Sequence, residues 1–303
     1  QPTPPSSASQ SLMTVADDFD QQINNDEHVP VVENHDHGEN SLPSETATVV
    51  EKERALEDLA EVVRHPDQLE HLNQRNDDVK GDDVLAGIWK TDGITDGIKW
   101  RFDANTGVLV LDGGEIYKTN DNSPWQSSSW VSQITKVVIS KPIRIIESGI
   151  GFFENLINVE CYEGLEKIDV SSAKQLSYFF AGNNHVKELD LSSWQVGNVT
   201  DMSYLFVNHP GPSQLATINI SGWDTRQVVY ASAMFGPNEH LTRIIGIENL
   251  NFENLEEAGA LFYKTGLAQL DLSRWVTNNL ENMAGWFLDM RNLTSVKLGP
   301  QLK

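Results

Sequence analysis

The stretch VKELDLSSW at residues 186–194, followed by NVTDMSYLF at 198–206, decides the fold. In the first part Leu189 and Leu191 alternate with Asp190, which is the period of a strand with one buried face. In the second part apolar residues return every three or four positions behind an asparagine that can cap a helix, so a short helix is predicted. A unit of one short strand and one short helix cannot bury both apolar faces alone, and it must therefore stack on similar units.

The same unit recurs from about residue 152 onward. Its closing aromatic residues stand 27, 26, 29, 27 and 25 positions apart: Phe153, Phe180, Phe206, Phe235, Phe262 and Phe287. An L-x-x-L step opens each unit: Leu156/Val159, Val186/Leu189, Leu215/Ile218, Leu241/Ile244, Leu267/Leu270 and Leu293/Val296. Since two independent markers keep one period, the sequence predicts an α/β fold, a leucine-rich-repeat solenoid of short parallel strands and short helices, over residues 151–303.

Single residues of the repeat have structural interpretations. Trp194, Trp223 and Trp275 follow their strands at the same offset, which predicts buried anchors and not a platform for stacking sugars; Phe252 is predicted to take this role in the unit between. Cys161 falls where other units have a core leucine or isoleucine. It is predicted to be a small buried residue with an unreactive thiol, and a reactive cysteine is the alternative.

A β-rich cap in front of the repeats is predicted for residues 84–150. Ile98, Trp100 and Phe102 alternate with polar residues, and the segment Asp103–Gly107 with its asparagine and glycine predicts the turn of a β-hairpin. The D-x-N-x-G spelling of that turn also resembles part of a calcium loop, but the bidentate acid that such a loop needs does not follow.

Residues 1–83 predict an acidic, mostly disordered linker with a short helical stretch near 51–74. Residues 1–85 hold twenty acidic and five basic side chains but a single aromatic, so they cannot bury enough surface to offset the entropy of folding. The histidines at 28, 35 and 37 could bind a metal ion, but a solvated acidic tail explains them better. With a net charge of −22 and no apolar run of about 20 residues, neither nucleic acid nor membrane insertion is expected.

The repeat resembles the BspA-like leucine-rich-repeat surface proteins of Gram-positive bacteria. The matching residues are LDLSxW at Leu189–Trp194 and Leu270–Trp275 and NVTDMSYLF at Asn198–Phe206, and the resemblance covers roughly residues 84–303. It implies a secreted or wall-attached protein with an adhesive role and carries no shared catalytic residue. The chain stops inside a unit at Lys303, which predicts that a further C-terminal part exists.

These observations favour a non-enzymatic cell-surface binding protein, an adhesin that recognises an extracellular protein or a glycan polymer. The candidate binding surface is formed by the exposed strand positions Asp190, Asn219, Asp271 and Lys297. No cofactor, metal or catalytic residue is predicted. A structural spacer that presents another module is the alternative, and a wall-acting hydrolase is the remaining one, although no hydrolase motif is present.

Overall fold

The computed structural model describes residues 84–119, 123–208 and 211–302. The predictions for the acidic linker, for the helical stretch near 51–74 and for the three histidines therefore lie outside the described residues. Within the described ranges the strands are β1 Val84–Trp89, β2 Gly97–Asp103, β3 Val108–Lys118, β4 Lys136–Ile139, β5 Ile143–Ser148, β6 Cys161–Glu163, β7 Ile168–Asp169, β8 Glu188–Asp190, β9 Thr217–Asn219, β10 Arg243–Ile245, β11 Gln269–Leu272 and β12 Ser295–Leu298.

The chain begins as an antiparallel meander and then becomes a parallel coil. Strands β1, β2 and β3 pair antiparallel, and the predicted hairpin turn closes with the Gly107 N–H donating to the Asp103 carbonyl at 2.8 Å. The long strand β3 then pairs in parallel with β4 and β5, which in turn pair with β6 and β7. Strand β3 thus joins the antiparallel meander to the first parallel turn.

The remainder is a β-solenoid of about seven turns. Strands β8, β9 and β10 form one parallel sheet, and β11 and β12 form another. A second parallel ladder of isolated bridges runs along another side of the coil, through Ser148, Gln175, Asp201, Tyr230, Glu257 and Asn282. The bridge ladder joins each of these turns to the next, and the strand ladder adds a second line of bonds within each sheet, which confirms the predicted stacking of repeat units.

The predicted short helices are wrong. In the described residues there are three 3₁₀ turns, Val131–Gln133, Leu165–Lys167 and Ile247–Asn249, and no α-helix. In the segment Asn198–Phe206 the amide groups bond to the next turn of the coil: Met202 donates to the Tyr230 carbonyl at 2.9 Å and Tyr204 to the Ser232 carbonyl at 2.8 Å. The Asn198 side chain does not cap a helix but donates to the Ser171 carbonyl of the preceding turn at 2.8 Å.

A sequence of tight turns produces the spacing that resembles a helix. Val199 donates to the Val196 carbonyl and Leu205 to the Met202 carbonyl, so each of these turns spans three residues. The residue two positions before each repeat phenylalanine has a left-handed backbone: Gly151, Tyr178, Tyr204, Ala233, Ala260 and Gly285. A left-handed residue at a fixed place in every unit is incompatible with a continuing α-helix, yet it leaves the apolar period near three.

The core is a continuous column of side chains inside the coil. The repeat phenylalanines stack on one another, with ring centroids 5.9 Å apart between Phe206 and Phe235, 5.6 Å between Phe235 and Phe262, and 6.3 Å between Phe262 and Phe287. Phe235 and Phe262 are completely buried. The repeat phenylalanines therefore form the axis of the core. Their regular spacing is a consequence of this stacking.

The prediction for Cys161 is wrong, because this cysteine is exposed. It pairs in register with Lys136 on β4, and the neighbouring Tyr162 packs on the Phe153 and Phe180 rings instead. The unit is therefore shifted by three residues from the predicted alignment: Val159, and not Leu156, begins its L-x-x-L step. Cys161 occupies the outward position that Glu188 has on β8.

Candidate binding surface

The third residue of each of six strands, from β6 to β12 without β7, points away from the core in one repeating position. We name this set the outward column: Glu163, Asp190, Asn219, Ile245, Asp271 and Lys297. Asp190 lies in register with Asn219, and Asp271 in register with Lys297. All four residues predicted as a binding surface are thus in the column, although the two pairs belong to separate sheets.

Three of these residues also stabilise the turn that follows their strand. The Asp190 Oδ1 atom accepts hydrogen bonds from the Ser192 amide at 3.1 Å and from the Ser192 hydroxyl at 2.7 Å. Asn219 makes the same two bonds with Ser221, at 3.1 and 2.7 Å, and Asp271 makes them with Ser273. A short polar side chain at this position stabilises the turn by bonding the backbone two residues on.

The Asp271 carboxyl group is held in its ionised form by its neighbours. The hydroxyl and amide of Ser273 lower the pKa of its carboxyl group to about 2, and the Lys297 ammonium, 3.2 Å from Oδ2, acts in the same direction. Because the group is exposed, this ion pair is worth little to stability. Asp271 therefore carries a fixed negative charge at neutral pH and is unsuited to act as a general acid there.

An open polar groove of about 400 Å³ lies beside Asp271 and Lys297. It is lined by Glu248, Asn249, Asp271, Ser273, Arg274 and Lys297. The Arg274 guanidinium donates to the Asn249 side-chain oxygen at 3.1 Å across the groove. With cationic and anionic side chains in alternation, this groove can offer both donors and acceptors to a polar polymer.

The groove exists because the regular sheet is interrupted between β10 and β11. Gly246 has a left-handed backbone with φ of 94°, and the 3₁₀ turn Ile247–Asn249 follows it. The extra turn carries Glu248 and Asn249 out beside the next strand. The sequence analysis missed these residues and Arg274. The signal available was the likeness of Gly246-Ile247-Glu248-Asn249 to Gly164-Leu165-Glu166-Lys167, which forms the same turn.

The repeat tryptophans are interior anchors, as predicted. Trp194, Trp223 and Trp275 are at most 5% exposed. Their indole N–H groups donate to carbonyls of the preceding turn, at Leu165, Leu191 and Ile247, with lengths of 2.9, 2.8 and 2.8 Å. Phe252 is also buried and packs on Trp275 at 4.8 Å, but Leu250 takes the tryptophan position there, since its amide donates to the Ile247 carbonyl.

The part of the chain that the structure describes offers few other candidate features. No cluster of three or more histidine, cysteine, aspartate or glutamate residues in these ranges has the arrangement of a metal site. Over the same residues, no helix combines the length and apolar character needed to cross a bilayer. The outward column and the groove beside it are therefore the features from which a function can be argued.

Comparison with known families gives one match. The family described as "Mycoplasma protein of unknown function, DUF285" matches residues 150–211 and 174–297. These ranges coincide with the solenoid turns and leave out the antiparallel meander at the start. No curated protein and no solved structure matches the chain.

Proposed function

We propose that this chain is a non-enzymatic, BspA-like surface protein that binds an extended extracellular polymer, either a protein or a glycan, along its outward column. The observation that carries the proposal is the placement of Asp190 beside Asn219 on β8 and β9, and of Asp271 beside Lys297 on β11 and β12, where the second pair lines the polar groove. Neighbouring strands are about 4.8 Å apart, so each pair presents two polar side chains at the spacing of adjacent strands. A long open array favours such partners over small molecules.

The proposal places the protein at the cell surface, where an adhesin is useful. Its support is the resemblance of the LDLSxW and NVTDMSYLF motifs to BspA-like repeats, together with the match of the solenoid turns to a repeat family. The pair affinity is expected to be modest, because exposed polar contacts contribute little each. Many copies on one cell would compensate through avidity.

The test uses variants that change charge without changing the corner. Asn219 shows that an asparagine at this position makes the same two hydrogen bonds as an aspartate. The double substitution Asp190→Asn and Asp271→Asn should therefore preserve folding while removing two charges from the column. The full chain would be immobilised at high density and probed with matrix proteins, mucin and bacterial wall polymers.

We expect retention of at least one polymer by the native chain and a loss of about tenfold in the double variant. A second variant, Arg274→Gln with Lys297→Gln, tests the groove in the same way. Glu188→Gln, an exposed change on the first position of β8, is the matched control and should bind as the native chain does. Equal retention by all variants would place the binding elsewhere and overturn the proposal.

A stiff spacer is the second candidate. It is favoured by the bridge ladder, which bonds each turn to the next from Ser148 to Asn282, with the strand ladder adding bonds within each sheet. The same binding experiment separates the two functions. A spacer would retain no polymer on any surface, whereas a binding solenoid would retain one that the charge variants release.

A further inference from the structure

The outward face of the N-terminal meander differs from that of the solenoid turns. Val84 and Ile88 on β1 are 41% and 49% exposed. Register places Ala86 beside Arg101, Arg101 beside Val110, and Val110 beside Val138. We name this set the aliphatic face: Val84, Ala86, Ile88, Val110 and Val138.

The aliphatic face continues the outward column with side chains of the opposite character. Val138 lies in register with Glu163, the first member of the column. In the same register row, β4, β3 and β1 carry Val138, Val110 and Ala86, and β2 carries Arg101. Apolar side chains grouped on one face, and rimmed by polar ones, mark a surface that is covered by something.

Basic side chains lie within the aliphatic face. Lys99 is in register with Ile88, and Arg101 lies between Ala86 and Val110. Arg101 makes an exposed ion pair with Asp112 at 3.0 Å, which solvent and salt weaken. Asp112 offsets part of the charge of Arg101, and Lys99 adds a positive charge beside Ile88, so this face suits an acidic, amphipathic occupant.

We propose that residues 51–74 of the same chain dock on the aliphatic face. This segment has seven acidic and three basic residues. Its apolar residues Leu56, Leu59 and Val63 recur at spacings of three and four, and Leu69 and Leu72 are again three apart after Pro66. Nine residues separate it from β1, a tether that reaches about 30 Å when extended. Strand β1 itself is about 20 Å long, so the whole face is within reach.

The tether makes the contact intramolecular. A short connection raises the effective concentration of the segment at the face to the millimolar range, so a weak apolar contact suffices. Burying the exposed parts of Val84 and Ile88 against leucines removes apolar surface from water. The outward column of the solenoid is left open, and the docking proposal therefore does not depend on the proposed function.

The single cysteine of the chain, Cys161, allows a spin label to be attached near the aliphatic face to detect this contact. Cys161 is exposed and lies in the same outward row as Val108 and Lys136, two strands from β3. A nitroxide attached to Cys161 of the full chain should broaden the amide NMR signals of residues 51–74 more strongly than those of residues 1–30. Diluting the labelled chain into isotope-labelled chain that lacks the nitroxide separates intramolecular from intermolecular broadening.

Variants on both sides of the contact complete the test. Leu59→Glu with Val63→Glu in the segment, or Ile88→Glu on the face, should each reduce the broadening at least threefold. Tyr230→Glu is the matched control, because Tyr230 is 41% exposed on the other ladder, and it should leave the broadening unchanged. Broadening that is insensitive to the segment and face variants, or that appears only between molecules, would overturn the proposal.

Discussion

The meander and the solenoid turns bury similar side chains but are held together by different contacts. In the meander, Trp100 and Phe102 are buried on a hairpin whose strands are neighbours in sequence. In the solenoid, each turn bonds to a residue about one repeat away, as when Leu191 donates to the Asn219 carbonyl at 2.9 Å. Stability in such a coil is the sum of interfaces between neighbouring turns. A core substitution in the solenoid should therefore weaken mainly the turns next to it, and one in the meander should weaken mainly the meander.

The largest effect is expected from Phe235→Ala, which removes a ring stacked on both sides in the core column. We expect a loss of about 3–5 kcal/mol in the free energy of unfolding, as for other buried aromatics. Urea unfolding measures the loss, and hydrogen exchange locates it. Protection should fall in the turns of Phe206 and Phe262 and persist in β2 and β3.

Trp130→Ala is the matched substitution in the first part of the chain. Trp130 is only partly buried, although its ring stacks on Phe102 at 4.5 Å. We expect a smaller loss, confined by hydrogen exchange to the meander. Equal loss of protection throughout the chain in both variants would show that the meander and the coil unfold as one unit, and the comparison would fail.

The sequence alone predicted the stacking of units, the period of the repeat phenylalanines and the buried tryptophans. These features depend on inward side chains, and an apolar side chain at a repeated position has few alternatives to burial. The helices were predicted wrongly because corners at three-residue steps, such as Met202 to Leu205, give nearly the apolar period of a helix. The left-handed Tyr204 that distinguishes the two has no sequence signal, since φ above zero is expected of glycine or asparagine.

The candidate site was predicted in part. Asp190, Asn219, Asp271 and Lys297 could be placed on strands because alternation fixes which side chain points outward. The groove could not be predicted, since it depends on an interruption of the sheet that begins at Gly246. Cys161 was misplaced because Leu156 and Val159 were taken as the apolar step of this unit, whereas Val159 and Tyr162 occupy those positions three residues later.

The second prediction compares glycines with left-handed backbones in the two regions. At Gly114, with φ of 127°, an added Cβ would lie 2.0 Å from the Gly97 carbonyl oxygen on the paired strand. Gly114→Ala should therefore cost about 3 kcal/mol through forced backbone displacement. At Gly285 the nearest atom to an added Cβ is 3.8 Å away, and Ala233 and Ala260 already occupy equivalent positions.

Gly285→Ala should accordingly cost only about 1 kcal/mol, the usual price of a left-handed alanine. Thermal unfolding of the two variants measures the difference. A loss for Gly285→Ala as large as that for Gly114→Ala would mean that the corner of the last turns is as tightly constrained as the hairpin, in contradiction to the alanines that the other turns carry.

The third prediction concerns pH at the junction of the two regions. Burial raises the pKa of the Glu154 carboxyl group to about 7, from 4.5. The Gln126 side-chain amide donates to the Glu154 carbonyl at 3.0 Å, so this corner touches the segment that leads out of the meander. Between pH 4.5 and 7 the folded chain holds this proton more firmly than the unfolded chain, and stability from this group therefore falls as pH rises through that window.

Glu154→Gln should remove this part of the pH dependence and raise stability at pH 7.5 by about 2 kcal/mol. Urea unfolding at pH 4.5, 6 and 7.5 is the measurement. Glu188→Gln, on the exposed face of β8, is the control and should retain the dependence of the native chain. A native chain whose stability rises from pH 4.5 to 7.5 by the same amount with and without Glu154 would contradict the prediction.

The smallest effect is expected at the corners of the outward column, where Asp190→Ala removes the acceptor of two hydrogen bonds from Ser192. We expect a loss of about 1 kcal/mol in the free energy of unfolding, because each such bond exchanges for one with water. Asp190→Asn should lose less, since Asn219 makes the same bonds one turn away.

The meander offers a matched turn at Asp103. The Asp103 side chain accepts a hydrogen bond from the Asn105 amide at 2.9 Å, and the Asp103 carbonyl accepts one from the Gly107 amide. That backbone bond survives the loss of the side chain, so Asp103→Ala should be milder than Asp190→Ala. A larger loss for Asp103→Ala than for Asp190→Ala would contradict the prediction. It would show that the side-chain hydrogen bonds at the turns stabilise the hairpin more than the solenoid.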